Sequence, residues 1–236
     1  MQLSTNFLKV HRILATLFFV ILVARPAAVF SLDTGQLTPE QVAEKLQKSY
    51  VSTTSMSANF KQVTAVSMSS RQRQGTGTVV LLKPGRMRWD YFTPERQILI
   101  SDGQTIRMYF EKNKQMIVSA AKEYLQSDVT YSFFAGTGEI QRDFNITAPD
   151  KENVTDDSSY LIKLIPKNAH PQLDHLYLWV DRHSFLIKRL QLIDHFNTIT
   201  ELFFENIRTT TEQDKIEIKP DVFNFTPPPD TEVVIQ

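Results

Sequence analysis

Residues 13–24, ILATLFFVILVA, are unbroken apolar, preceded by Lys9, His11 and Arg12 and stopped by Arg25 and Pro26. Twelve residues fall short of the ~20 that span a hydrocarbon core, so length and flanks predict a signal peptide over residues 1–31. Fold reasoning starts at Leu32, and residues 32–236 are expected to form a single domain. The next pattern is helical. Thr38, Pro39 and Gln41 supply an N-cap, a first-turn proline and a capping-box partner, and Val42, Leu46 and Tyr50 recur at four-residue spacing. They predict an amphipathic helix from Pro39 to Val51.

Beyond it the period drops to two. Met87, Trp89 and Tyr91 alternate with Arg86, Arg88 and Asp90, and Ile106, Met108 and Phe110 alternate with Arg107 and Tyr109. Each such strand has one apolar face. Further strands are predicted over Met56–Val63, Thr76–Leu82, Gln97–Ser101, Gln115–Val118, Tyr160–Ile165, Leu173–Asp181, Leu186–Asp194 and Thr198–Ile207. Turn residues such as Lys83-Pro84-Gly85 and Asp102-Gly103 separate them. The Gly75-Thr76-Gly77 and Gly136-Thr137-Gly138 triplets lack the third glycine of a dinucleotide loop and read as turns. Ser127–Gly136 reads as a short helix that interrupts the strands like a cover, and Asp150–Ser159 as a surface loop.

Composition narrows the function. Lys plus Arg and Asp plus Glu both number 26, so no basic field attracts nucleic acid. Loss of residues 1–31 removes Lys9, Arg12 and Arg25 and leaves 23 basic against 26 acidic residues, a net charge of −3. The chain has no Cys, which excludes disulfides, thiolate metal sites and cysteine catalysis. Export without cysteine fits a bacterial periplasm. The histidines show no metal-binding spacing, and no nucleophile elbow is present. Nothing in the spacing of Asp174, Asp181 and Asp194 brings two carboxylates together for acid and base work. No catalytic residue, metal or cofactor is expected. What the chain has in quantity is pliable apolar bulk: 16 Phe and 6 Met against 7 Gly, which suits either a plain core or a cavity for an irregular apolar ligand.

Several ordered motifs then coincide. Ser57-Ala58-Asn59-Phe60-Lys61-Gln62, Gly75-Thr76-Gly77, Leu82-Lys83-Pro84-Gly85-Arg86-Met87-Arg88-Trp89, Tyr91-Phe92-Thr93-Pro94, Gln97-Ile98-Leu99-Ile100-Ser101-Asp102-Gly103 and the tail Phe223-Asn224-Phe225-Thr226-Pro227-Pro228 follow the predicted helix. In this order they resemble the periplasmic carriers of outer-membrane lipoproteins. The resemblance implies an unclosed, half antiparallel β-barrel of about eleven strands, mainly β with α, with helices forming a lid over an apolar cavity. It implies no enzyme but a monomeric chaperone that takes acylated lipoproteins from an ATP-driven extraction complex in the inner membrane and delivers them to a receptor on the outer membrane.

Under that resemblance Met87, Trp89, Tyr91, Ile106, Met108 and Phe110 line the lipid-binding cavity, and Leu125, Val129, Phe133 and Phe134 belong to the lid. The family's latch arginine is replaced by Lys83. A lysine brings three rotatable donors instead of a planar fork, which predicts a weaker lid latch or none. Arg86 and Arg88 are read as solvated strand faces. Three alternatives stay open at this level: a carrier of another amphiphile such as a glycolipid or phospholipid, a lipid-sensing regulatory protein on the same fold, and a periplasmic hydrolase with unrecognised acids.

Overall fold

The computed structural model describes residues 36–66, 72–127, 138–150, 157–211 and 218–236. Helix α1 (Pro39–Ser52) starts as its sequence requires. The Thr38 hydroxyl accepts from Gln41 N–H while the Gln41 side chain accepts from Thr38 N–H at 2.9 Å, a complete capping box. Val42, Ala43, Leu46 and Tyr50 are its buried face. Tyr50 Oη accepts from Ile187 N–H at 3.4 Å, and burial pushes its phenol well above the ordinary range.

Twelve strands follow among the described residues: β1 (Thr53–Ala65), β2 (Gln72–Leu82), β3 (Arg86–Thr93), β4 (Gln97–Asp102), β5 (Thr105–Phe110), β6 (Gln115–Ala120), β7 (Phe144–Thr147), β8 (Ser159–Pro166), β9 (His175–Asp181), β10 (Ile187–Ile193), β11 (Ile199–Thr211) and β12 (Glu232–Ile235). They form one sheet in the order β12-β6-β5-β4-β3-β2-β1-β11-β10-β9-β8-β7. Each of these pairings is antiparallel except β12 on β6. β7 and β12 stand at the two edges without pairing to each other, so the barrel is unclosed. Among the described residues two short helices, α2 (Ala121–Ser127) and α3 (Ile140–Asp143), lie between β6 and β7. The start of α3 is tied to α1, with Ile140 N–H donating to Gln47 Oε1 at 3.0 Å.

The sheet curls around α1. One apolar cluster contains Val42, Leu46 and Tyr50 of the helix together with Val79, Met87, Trp89 and Ile106 from one half of the sheet and Ile162, Leu176, Leu178 and Leu190 from the other. Period-two alternation sends these side chains inward. Tight turns close the strand ends: Gly85 and Gly103 both have positive φ, and a Cβ on Gly85 would lie 3.1 Å from Gly103 Cα, so the β2–β3 and β4–β5 turns abut through two bare backbones.

The unclosed half-barrel of about eleven strands is borne out with twelve, the short edge segments β7 and β12 being the two that alternation did not predict. Several other expectations need correction. The Gly75-Thr76-Gly77 triplet is no turn; it lies inside β2, paired with Gln62, Lys61 and Phe60 of β1. The one-apolar-face rule fails for β4 and β9, which are buried on both sides. On the outer face Ile98, Ile100, Tyr109 and Met116 are covered by the C-terminal segment, with Phe223 in a single 3₁₀ turn (Pro220–Phe223) and Phe225 5.1 Å from the Tyr109 ring. Arg86 and Arg88 are not solvated faces. Arg88 makes two bonds to the Asp90 carboxylate, 2.6 and 2.9 Å, and a third to the Val222 carbonyl at 2.9 Å, while Arg86 lies over the Phe223 ring. Across the other half of the outer face, Arg189 stacks 4.1 Å from Trp179 and 5.0 Å from Phe203, its charge paired with Glu201. Cationic side chains thus roof apolar rings there.

Candidate functional site

The inner face of β1–β5 and β11 is an apolar wall built by alternation. β3 contributes Met87 and Trp89, both fully buried; β5 contributes Ile106, also fully buried, and Met108; β2 contributes Val79 and Leu81. β1 adds Met56, Ala58 and Phe60, and β11 adds Leu202 and Phe204. The Phe60 ring sits between two others, 5.1 Å from Trp89 and 4.7 Å from Tyr91, both edge-on, and Trp89 meets Phe204 at 6.2 Å.

Gly75 and Gly77 make this aromatic group possible. A Cβ on Gly77 would fall 2.7 Å from the Phe60 ring and 2.0 Å from Asp90 O, and one on Gly75 would fall 3.3 Å from Tyr91. The two rings lie over bare backbone. Tyr91 thereby crosses β2 and donates from its hydroxyl to Gln62 Oε1 on β1 at 2.8 Å.

Of the six wall residues expected from the sequence, Met87, Trp89, Tyr91, Ile106 and Met108 pack into this one cluster, and Phe110 is half-buried at the end of β5. Sequence reasoning passed over Phe60 and Phe204, although Met56-Ala58-Phe60 and Leu202-Phe204 carry the same alternation. Lys83 lies at the end of β2 against the end of α1. Its ammonium donates to the Tyr50 carbonyl and, at 3.3 Å, to the Val51 carbonyl, two of the acceptors a helix C-terminus leaves open. Burial pushes the Lys83 ammonium below the ordinary lysine range. Leu125 falls in α2, whereas Val129, Phe133 and Phe134 and the helix expected over Ser127–Gly136 lie outside the described residues, as do residues 1–31.

The three aspartates serve separate purposes. Asp181 Oδ1 accepts from His183 N–H, Ser184 N–H and Ser184 Oγ, and Asp194 Oδ1 accepts from Phe196 N–H and Thr198 N–H, so each caps a turn at an opposite end of β10. Asp174 pairs with His175 at 2.6 Å and approaches His195 at 3.6 Å. Among the described residues no three His, Asp or Glu side chains gather as metal ligands.

The sequence model of the outer membrane lipoprotein carrier protein LolA matches residues 51–226. The chain belongs to the LolA family. Its relatives include the outer-membrane lipoprotein carrier proteins of Nitrosomonas europaea, 29% identical over 75% of this chain and 81% of that one, and of Methylococcus capsulatus, 27% identical over 84% and 88%. The crystal structure of an uncharacterized conserved protein from Thermus thermophilus shares the fold, with a TM-score of 0.53 and 10% identity over 84% of this chain and 98% of that one. The LolA match takes in every strand of the aromatic wall, from β1 to β5 and β11, and also Lys83 and the outer-face turn at Phe223. In this LolA-family chain, then, the apolar inner wall and Lys83 fall within the matched region, while most of α1, Tyr50 included, precedes it.

Proposed function

We propose that the protein is a periplasmic lipoprotein carrier that shelters acyl chains on the inner face of its sheet. The observation that carries this reading is the apolar wall of Met87, Trp89, Tyr91, Ile106 and Met108 on an unclosed sheet, in a chain of the LolA family. At ~0.8 kcal/mol per buried CH₂, long acyl chains do not enter water unaided, and a wall of Met and aromatic side chains offers them a replacement for lipid. Phe110 extends the wall. Leu125, Val129, Phe133 and Phe134 supply the lid, and Lys83, bonded to the last carbonyls of α1, latches the end of that helix. Residues 1–31 direct export and are removed, leaving one carrier domain from residue 32. Cargo comes from an ATP-driven extraction complex in the inner membrane and leaves to an outer-membrane receptor. The carrier acts as a monomer, binds no nucleic acid, uses no cofactor and makes or breaks no bond.

Native mass spectrometry of the chain purified from a bacterial periplasm tests this. An acylated lipoprotein leaving with the protein is the expected result. Co-purified glycolipid or phospholipid alone would transfer the function to another amphiphile, and a protein that takes up no lipid under any loading condition would end the carrier reading.

A further inference from the structure

The inner wall changes character along its strands. On β1 the inward side chains pass from buried Phe60 to half-buried Gln62 and Thr64; on β3 from Trp89 to Tyr91; on β5 from Ile106 to Met108 and Phe110; on β11 from Phe204 and Leu202 to Thr200. All four gradients run toward one end of the sheet, where β1 turns into β2 and β10 into β11. Among the described residues the wall is therefore fully buried toward Lys83 and only half-buried, and so the more open to water, toward the other end.

The polar side chains stand at the open end, in a line across three strands. Tyr91 donates to Gln62 Oε1 at 2.8 Å, Gln62 Nε2 reaches Thr64 Oγ1 at 3.4 Å, and the Thr64 and Thr200 hydroxyls are 3.3 Å apart. Register places these threonines directly opposite each other, and Gln62 opposite both Leu202 and Gly75. Two of the three links are at the long limit of a hydrogen bond, so the Gln62 amide and the two hydroxyls are weakly engaged donors that can turn to a better acceptor.

We infer that this ribbon of Gln62, Thr64 and Thr200, positioned by Tyr91, seats the polar linkage of the bound amphiphile, the ester and amide carbonyls that join fatty chains to their head. The inference rests on the carrier reading above. Acyl chains run from the ribbon down the wall to Trp89, Met87 and Ile106, and the head leaves at the open end. The chemistry requires such donors: a carbonyl taken out of water without a partner is destabilising, and hydrocarbon walls donate nothing. The same carbonyls occur in the acylated N-terminus of a lipoprotein and in the diacylglycerol of a phospholipid.

The test uses Thr64→Val/Thr200→Val, nearly isosteric and suited to strands, and separately Gln62→Met, which keeps length without donors. Binding by the exported chain is measured for three probes: a synthetic triacylated lipopeptide, dioleoylphosphatidylglycerol, and N-phenyl-1-naphthylamine, which has no carbonyl. Lipopeptide affinity is expected to fall roughly five- to thirtyfold in each variant while naphthylamine affinity stays within about twofold. An equal loss for the phospholipid assigns the ribbon to the ester carbonyls; a loss confined to lipopeptide assigns it to the amide. No loss for lipopeptide, or an equal loss for all three probes with an unchanged melting temperature, overturns the inference. Uptake of naphthylamine but of neither acylated probe by the unmodified chain would instead remove the carrier reading on which the inference depends.

Discussion

Gly77 is where the wall is most sensitive to a single atom. A methyl there would overlap both the Asp90 carbonyl, at 2.0 Å, and the Phe60 ring, at 2.7 Å, and the first of these is backbone of a paired strand that cannot rotate away. At Gly75 the tightest contact is 3.1 Å, to the Thr93 carbonyl. Gly77→Ala is therefore expected to destabilise by more than about 3 kcal/mol and Gly75→Ala by about 1 kcal/mol, read from denaturant midpoints. Near-equal losses at the two positions would show that the β2–β3 pairing yields where it is drawn as rigid. The sequence hid this site because a glycine pair has the same spelling in a turn and under an aromatic ring. Met87, Trp89 and Ile106 were legible from alternation alone. The hydrogen bond from Tyr91 to Gln62 was not, since it joins residues 29 apart through the space left by Gly75.

At the scale of elements, α1 and the ten longer strands announced themselves by capping, period and turns, while β7, β12 and the Phe223 turn did not. The latter are four residues each, too short for a periodic signal, and they owe their place to partners distant in sequence. Phe223 is 2% exposed because the outer faces of β4–β6 are apolar where alternation called for polar residues. Arg88 fixes the approach to that segment with its bond to the Val222 carbonyl. Arg88→Leu should loosen residues 218–225: amide exchange there is expected to rise at least tenfold, with protection at the centre of β1 and β11 unchanged. Uniform loss of protection would mean that Arg88 supports the whole sheet, and no change would mean that the packing of Phe223 and Phe225 holds the segment unaided.

At the scale of the whole sheet, the strands of the described residues are joined by turns, and several of those turns are held by ionised aspartates. Asp102 Oδ1 accepts from Gln104 N–H and Thr105 N–H at 2.9 and 2.8 Å between β4 and β5, as Asp181 and Asp194 do around β10. Partial burial acts to raise all three carboxyls, but the hydrogen bonds from the turn backbone, with Thr105, Ser184 and Thr198 side chains, outweigh it and hold each below the ordinary carboxylate range. A carboxyl depressed in the folded state adds stability that is complete above its unfolded pKa, near 4, and is lost as pH falls through the folded value. The chain should therefore keep its stability from neutral pH down to about pH 5 and lose it progressively below. The triple variant Asp102→Asn/Asp181→Asn/Asp194→Asn retains an amide oxygen to cap each turn but has nothing to protonate. Its denaturant midpoint is expected to start lower at pH 7 and to decline less steeply between pH 5 and pH 3 than that of the unmodified chain. Parallel curves would transfer the acid response to carboxylates outside the turns, with Asp174 between His175 and His195, and Asp150 against Lys163 and Tyr177, as the next pairs to substitute.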